Sequence, residues 1–172
     1  LHAWRRPAGA LRPSRLTRLE TARAAGVRLI ITLSNHWGDY GGIPMYLRWA
    51  GLPDGDPTFE AFYRDPRTRG FYRDHVVRLL TRVNRRTGVR YVDDPTIMAW
   101  ELMNESTVRT PDGAAARRAW IVEMARLIRA YDRNHLIGPG LLGYESLWER
   151  VEWVAVHQLP EVDYCDSHLY AD

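Results

Sequence analysis

Residues 93–106 read DDPTIMAWELMNES. Within them TIMAWEL, residues 96–102, is a short apolar run, the pattern of a strand buried on both faces. The run passes directly into a polar pair, Asn104 and Glu105. Moving upstream, VRLIITL (27–33) has the same short, β-branched character and passes into Ser34-Asn35-His36-Trp37. Moving downstream, HLIGPG predicts a third strand near Leu136, and VDYCDSHLY, ending at Tyr170, a fourth that runs into Ser167-His168.

Helical spacing fills the intervals. Ser14 is placed to cap a helix carrying Leu16, Leu19, Ala22 and Ala25, and Gly26 to end it. Tyr72, Val76, Leu79, Leu80 and Val83 predict a second helix, closed by Gly88. A third covers about Ala114 to Tyr131, with Ile121, Met124, Leu127, Ile128 and Tyr131 on one face, and a shorter one lies around Trp148 to Gln158. Ser34 to about Gly70 is rich in Gly, Pro and Asp and reads as a loop with small helical pieces. Residues 1–13 show no period and read as a loop or remnant, which leaves residues 14–172 as one domain.

Helices and buried strands thus alternate four times, the sign of parallel βαβ units. An open doubly wound sheet and a (β/α)8 barrel both satisfy that pattern. The open sheet of a dinucleotide-binding protein calls for GxGxxG after a strand, and the chain has none. Three of the strands end in polar or acidic residues, and a barrel places its chemistry at that face. A complete barrel takes about 250 residues, so the expectation is a partial (β/α)8 TIM barrel, or a half-barrel standing alone. The two open sheet edges of a half-barrel predict self-association.

Composition excludes several classes. The net charge is +3, all 24 basic residues are Arg, and they are interspersed with acids rather than gathered into the basic stripe that nucleic acid requires. No apolar run approaches the length of about 18 residues that spans a membrane, and no signal peptide is visible. The single cysteine, Cys165, allows no internal disulfide and reads as a small buried side chain within its strand. Seven Trp and nine Tyr suit a carbohydrate site and a packed core alike. His36 with Asp39, or His168 with Asp166 or Asp172, could offer N and O ligands, but the spacing is loose and no HExxH-type motif exists, so no metal and no cofactor is expected.

Glu105 is the carboxylate best placed for chemistry. Breaking a glycosidic bond requires protonating a poor leaving oxygen, which a carboxylic acid does when its surroundings raise its pKa. A strand end at a barrel mouth, walled by aromatics, is such a setting, and Asn104 beside it could bond a sugar hydroxyl. Taken alone, an Asn-Glu pair reads more readily as a solvated loop acid than as a catalytic one. Glu101, four residues earlier, reads as a paired or site-supporting carboxylate deep in the barrel, and Glu145, Glu149 and Glu161 as loop or surface acids. Trp37, Tyr40, Tyr46 and Trp49 could form a sugar-stacking platform or pack the long loop, and Trp100 is core or the floor of the site.

DDPTIMAWELMNES resembles the acid/base strand of glycoside hydrolase family 5, above all its endo-β-1,4-mannanase subfamily, with Ser106 where the family has Pro. The likeness extends over VRLIITLSNHWGDYGGIPMYLRWAG (27–51), over residues 62–102, over DRNHLIGPGLLGYES (132–146) and over VDYCDSHLY (162–170), in order. It implies strands three to six of the barrel and a retaining mechanism in which Glu105 is the acid/base and a second Glu, about 5 Å away, the nucleophile. That nucleophile is expected on the seventh strand, beyond residue 172, so residues 1–172 by themselves are expected to be inactive. The resemblance assigns Asn104, Asn35, Trp37, His168 and Tyr170 to substrate, with His36 where an amide is more usual and Leu142 where the family has a substrate-holding Glu. The implied substrate is a β-1,4-linked polysaccharide, mannan first and glucomannan or cellulose next, and the implied location is outside the cell. A non-catalytic carbohydrate-binding or vestigial half-barrel is the alternative from another class.

Overall fold

The computed structural model describes residues 15–54, 59–143 and 147–168, with the side chains of 15–17 and 147–148 outside that set. The elements are α1 (Arg15–Ala24), β1 (Leu29–Thr32), α2 (Ile43–Trp49), α3 (Ala61–Arg64), α4 (Pro66–Leu80), β2 (Ile97–Glu101), α5 (Pro111–Tyr131), β3 (Leu136–Gly138) and α6 (Leu147–His157), with 3-10 turns at Asp39–Gly41 and Tyr91–Asp93. The three strands form one parallel sheet in the order β1-β2-β3. Helices connect each strand to the next, the βαβ arrangement that the alternation predicts. The cap expected of Ser14 lies outside the described residues.

Local chemistry explains where the helices start. The Asp65 side chain accepts the Arg67 N–H at 2.8 Å, and Pro66 follows as the first helical residue, so α4 begins six residues before Tyr72. Val83 lies beyond its end, exposed, and bridges Arg90 instead. Thr110 caps α5 through Gly113 N at 2.9 Å, again with Pro next. The Glu60 carboxylate accepts from Arg109 N, Thr110 N and the Thr110 hydroxyl. It approaches so closely that a Cβ at position 113 would lie 2.1 Å from its Cδ, so a larger residue there would have to push the carboxylate away.

The core lies between the sheet and helices α2 to α5. Phe62, Tyr63, Tyr72 and Trp120 pack edge to face, with centroids 4.9–6.1 Å apart. Leu80, Ile121, Met124, Ile128 and Ile137 are fully buried around them. Tyr131, expected on the same face of α5, is exposed. Trp100 belongs to this core and not to the floor of the site: its indole donates to Asp132 at 2.7 Å, at the turn that leads into β3. His135 joins the same carboxylate through Nδ1 at 2.7 Å and reaches the Asp94 carbonyl through Nε2 at 3.0 Å.

Two strand expectations are corrected. β1 is not covered on both faces, because Val27 and Ile30 are exposed. The segment 162–168 is not a strand. It follows the β3 edge and Asp163 N donates to Ile137 O at 2.9 Å, but the next donors are taken by side chains. The Asp163 carboxylate accepts Ile137 N at 2.7 Å, and the Asp166 carboxylate accepts Gly140 N at 2.8 Å and Leu141 N at 2.9 Å. Carboxylates thus occupy donors that the carbonyls of a paired strand would otherwise accept. Cys165, expected to be buried there, is exposed.

Candidate active site

The loops that follow the strands continue the parallel pairing beyond the sheet. Leu33 N donates to Glu101 O, Asn104 N to Ser34 O and His36 N to Asn104 O, at 2.8–3.0 Å. On the other side Leu102 N donates to Gly138 O and Ser106 N to Gly140 O, both at 2.9 Å. Isolated bridges join Asn35 to Asn104 and Ser106 to Leu141. Gly140 sits at φ +72 with Met103 O only 1.7 Å from where a Cβ would stand, so glycine alone permits this approach.

Glu105 occupies the middle of that seam. It is 8% exposed and has φ +56, the left-handed region that residues other than glycine seldom adopt. Its two carboxylate oxygens are held separately. The Trp37 indole N–H donates to Oε2 at 2.6 Å, and His168 Nδ1 lies 2.9 Å from Oε1. Three loops, following β1, β2 and α6, therefore converge on one carboxylate. Behind it, Asn104 Nδ2 donates to Asn35 Oδ1 at 3.0 Å, and the same oxygen accepts the Trp37 backbone N–H at 3.2 Å. The residues singled out in the sequence, Glu105, Asn104, Asn35, Trp37 and His168, thus form one connected group. Tyr170 lies outside the described residues.

The aromatic loop divides. Trp37 remains at the mouth, partly exposed, against Glu105. Tyr46 is buried against Phe62 and Tyr72 and belongs to the core. Trp49 is exposed and meets Tyr46 and Phe71 edge on, and Tyr40 is fully exposed. Beside β1, Tyr40, Tyr46 and Trp49 border a cavity of about 690 Å³ that Leu29, Ile31, Asn35 and Asn104 also line.

Below the mouth, Glu101 accepts from the Thr32 hydroxyl at 2.7 Å. Burial raises its pKa, the Asp166 charge adds to this, and the Thr32 bond opposes it. Four further residues shape the site: Asp166 and His36, weighed in the sequence as possible metal ligands, and Tyr164 and Arg117, which the sequence reading passed over. Asp166 organises the turn after β3, as described above. Tyr164 packs its ring against Gly138, where a Cβ would stand 2.2 Å from it. His36 is fully buried, edge on to Trp37 and Phe59, and neither ring nitrogen has a hydrogen-bond partner among the described residues. Burial, with Arg117 adding to it and Glu105 opposing, lowers its pKa from 6.5 to about 4. Arg117 sits behind Ser106. Among the described residues, no group of three His, Cys, Asp or Glu side chains is arranged to hold a metal ion, and no helix is long and apolar enough to cross a membrane.

Comparison with known proteins places this geometry. The profile of GH family 5 beta-mannosidase-like proteins matches residues 17–172. Mannan endo-1,4-beta-mannosidase 4 of Oryza sativa subsp. japonica is 37% identical over 165 residues, which cover 88% of this chain and 36% of that protein. Mannan endo-1,4-beta-mannosidase 1 of Arabidopsis thaliana is also 37% identical, over 85% of this chain and 38% of its own length. The X-ray structure of the endo-beta-1,4-mannanase from Thermotoga petrophila superposes with a TM-score of 0.77 at 34% identity, over 86% of this chain and 35% of that one. The Rhizomucor miehei endo-1,4-beta-mannanase gives 0.78 at 29% identity, over 90% and 47%. The chain thus spans between about a third and just under half the length of each of these relatives, and its three-stranded sheet corresponds to part of a (β/α)8 barrel. The chain belongs to glycoside hydrolase family 5, with its β-mannosidase-like members.

Proposed function

We propose that the full-length gene product is a retaining, endo-acting glycoside hydrolase that cleaves β-1,4-mannosidic bonds, with Glu105 as its acid/base. The observation that carries this reading is the clamp on Glu105: a buried carboxylate at the strand ends, held by Trp37 on one oxygen and by His168 on the other. An indole N–H only donates. Oε2 therefore accepts from Trp37, which leaves Oε1, beside His168, as the favoured carrier of the proton. A glycosidic oxygen that reaches Oε1 receives that proton as the bond breaks. The second carboxylate, on a later strand, attacks the anomeric carbon, and Glu105 then draws a proton from the water that releases the sugar. Asn104, its amide plane held by Asn35, contacts the hydroxyl next to the reacting carbon. A polymer substrate of this kind sets the enzyme outside the cell.

The test is to incubate the full-length gene product with β-1,4-mannan, glucomannan and cellulose, and to follow the first products by NMR. The reading expects mannan to be cut internally and fastest, with the β configuration kept. Binding without cleavage, or release of α-anomers first, would reject it.

A further inference from the structure

A cation is buried behind the Glu105 loop, and the chemistry proposed above makes no use of it. Arg117 stands on the packed face of α5, among Ala114, Trp120, Ile121 and Met124, and is 5% exposed. Its Nη1 donates to the Ser106 carbonyl at 3.0 Å. Its Nη2 lies 3.6 Å from Oε1 of Glu152 on α6, which is equally buried and also pairs with Arg118. Burial lowers the Arg117 pKa, and nearby Tyr63 and Glu152 oppose this. A well-packed apolar side chain generally replaces a buried ion pair without loss of stability. Packing alone therefore does not account for an arginine here, and attention falls on the bond it makes.

That bond lands one residue past Glu105. A left-handed glutamate is strained, and bonds to the chain on either side of it help to hold it there. On the amino side, Asn104 is tied to Ser34 and Asn35. On the carboxyl side, the Ser106 N–H is tied to Gly140 and the Ser106 carbonyl to Arg117. We infer that Arg117, tethered by Glu152, is a positioning residue that keeps Glu105 in its left-handed conformation and its carboxylate against the Trp37 indole. The consequence for catalysis rests on the acid/base reading given above; the positioning does not.

Hydrogen exchange of the tryptophan indoles in the full-length gene product separates the two. The Trp37 indole reports the Glu105 carboxylate, and the Trp100 indole, bonded to Asp132 in the core, reports the fold. In Arg117→Met the Trp37 indole is expected to exchange about tenfold faster, the factor carried by one hydrogen bond's net worth, with Trp100 unchanged. Arg117→Lys keeps the cation but not the two-pronged reach, and is expected to fall between. If Arg117→Met does not fold, Arg117→Lys decides alone. Wild-type exchange at Trp37 in a folded variant overturns the inference. If the Trp37 indole responds while the wild-type protein hydrolyses no mannan, the positioning stands and the acid/base reading fails. If both hold, kcat on mannan falls about tenfold in Arg117→Met with KM little changed, as expected for a group whose geometry matters in the transition state.

Discussion

β1 and β2 are neighbours in one parallel sheet, and their sequences are equally apolar, yet they end in different surroundings. Ile30 is 44% exposed, whereas Ala99, its partner across the ladder, is 0% exposed. The difference is one of neighbours. β2 is paired on both sides, by β1 and β3, and all of its residues but Met98 are buried. β1 is paired on one side only among the described residues and faces a cavity on the other. The same contrast governs the loops beyond. The Glu105 loop is tied to both neighbouring loops, while the loop after β1 carries the exposed Tyr40 and leads into α2, which ends at the exposed Trp49.

Charge insertion is the most severe way to break this comparison. In residues 1–172 by themselves, Ala99→Asp would bury an unpaired carboxylate in the central strand and is expected to destabilise by on the order of 4 kcal/mol, whereas Ile30→Asp is expected to stay within about 1 kcal/mol. Urea unfolding of the two variants measures both. Equal losses would show that Ile30 is covered in that chain.

A smaller effect comes from His36, on the β1 side of the seam. Its pKa is 6.5 in the unfolded chain and about 4 in the folded one. Between those values the unfolded state binds more protons, so stability is full above pH 6.5 and is lost as the pH falls toward 4, by about 3 kcal/mol. His36→Leu is expected to flatten that part of the pH–stability curve. An unchanged slope would mean that His36 is not the group responsible.

Smaller again, Asn35→Ala removes the bonds to Asn104 and to the Trp37 backbone and is expected to cost about 1–2 kcal/mol. A shifted Trp37 indole resonance would accompany the loss if the two loops act as one unit. At the low end, Tyr40→Ala is expected to leave stability within about 0.5 kcal/mol, because the side chain is fully exposed. A fall in mannan affinity at unchanged stability would place Tyr40 on the sugar path.

What the sequence revealed follows the range of the forces involved. The run TIMAWEL and the pair Asn104-Glu105 are local signals, and they mark β2 and its acid well. Helix starts were local too: Asp65-Pro66 and Thr110-Pro111 carry the capping chemistry that moves α4 and α5 earlier than their apolar spacing suggests. The segment 162–168 misled because its apolar pattern gives no warning that Asp163 and Asp166 will take the ladder donors. The aromatics of the long loop could not be sorted in advance, since only tertiary packing sends Tyr46 inward and leaves Trp37 at the mouth. Arg117 was passed over in the sequence, although it is a cation on the face of α5 that carries Ala114, Ile121 and Met124. Its target, the Ser106 carbonyl, is a backbone atom eleven residues earlier, which no side-chain pattern names.

The most direct test of the central claim compares Glu105→Gln with the wild-type full-length gene product on two substrates. One is β-1,4-mannan, whose leaving group needs a proton; the other is 2,4-dinitrophenyl β-mannobioside, whose leaving group does not. If Glu105 is the acid, kcat/KM on mannan falls about 10²- to 10⁴-fold and kcat/KM on the aryl glycoside stays within about tenfold. Undiminished hydrolysis of mannan, or equal losses on both substrates, would contradict the account.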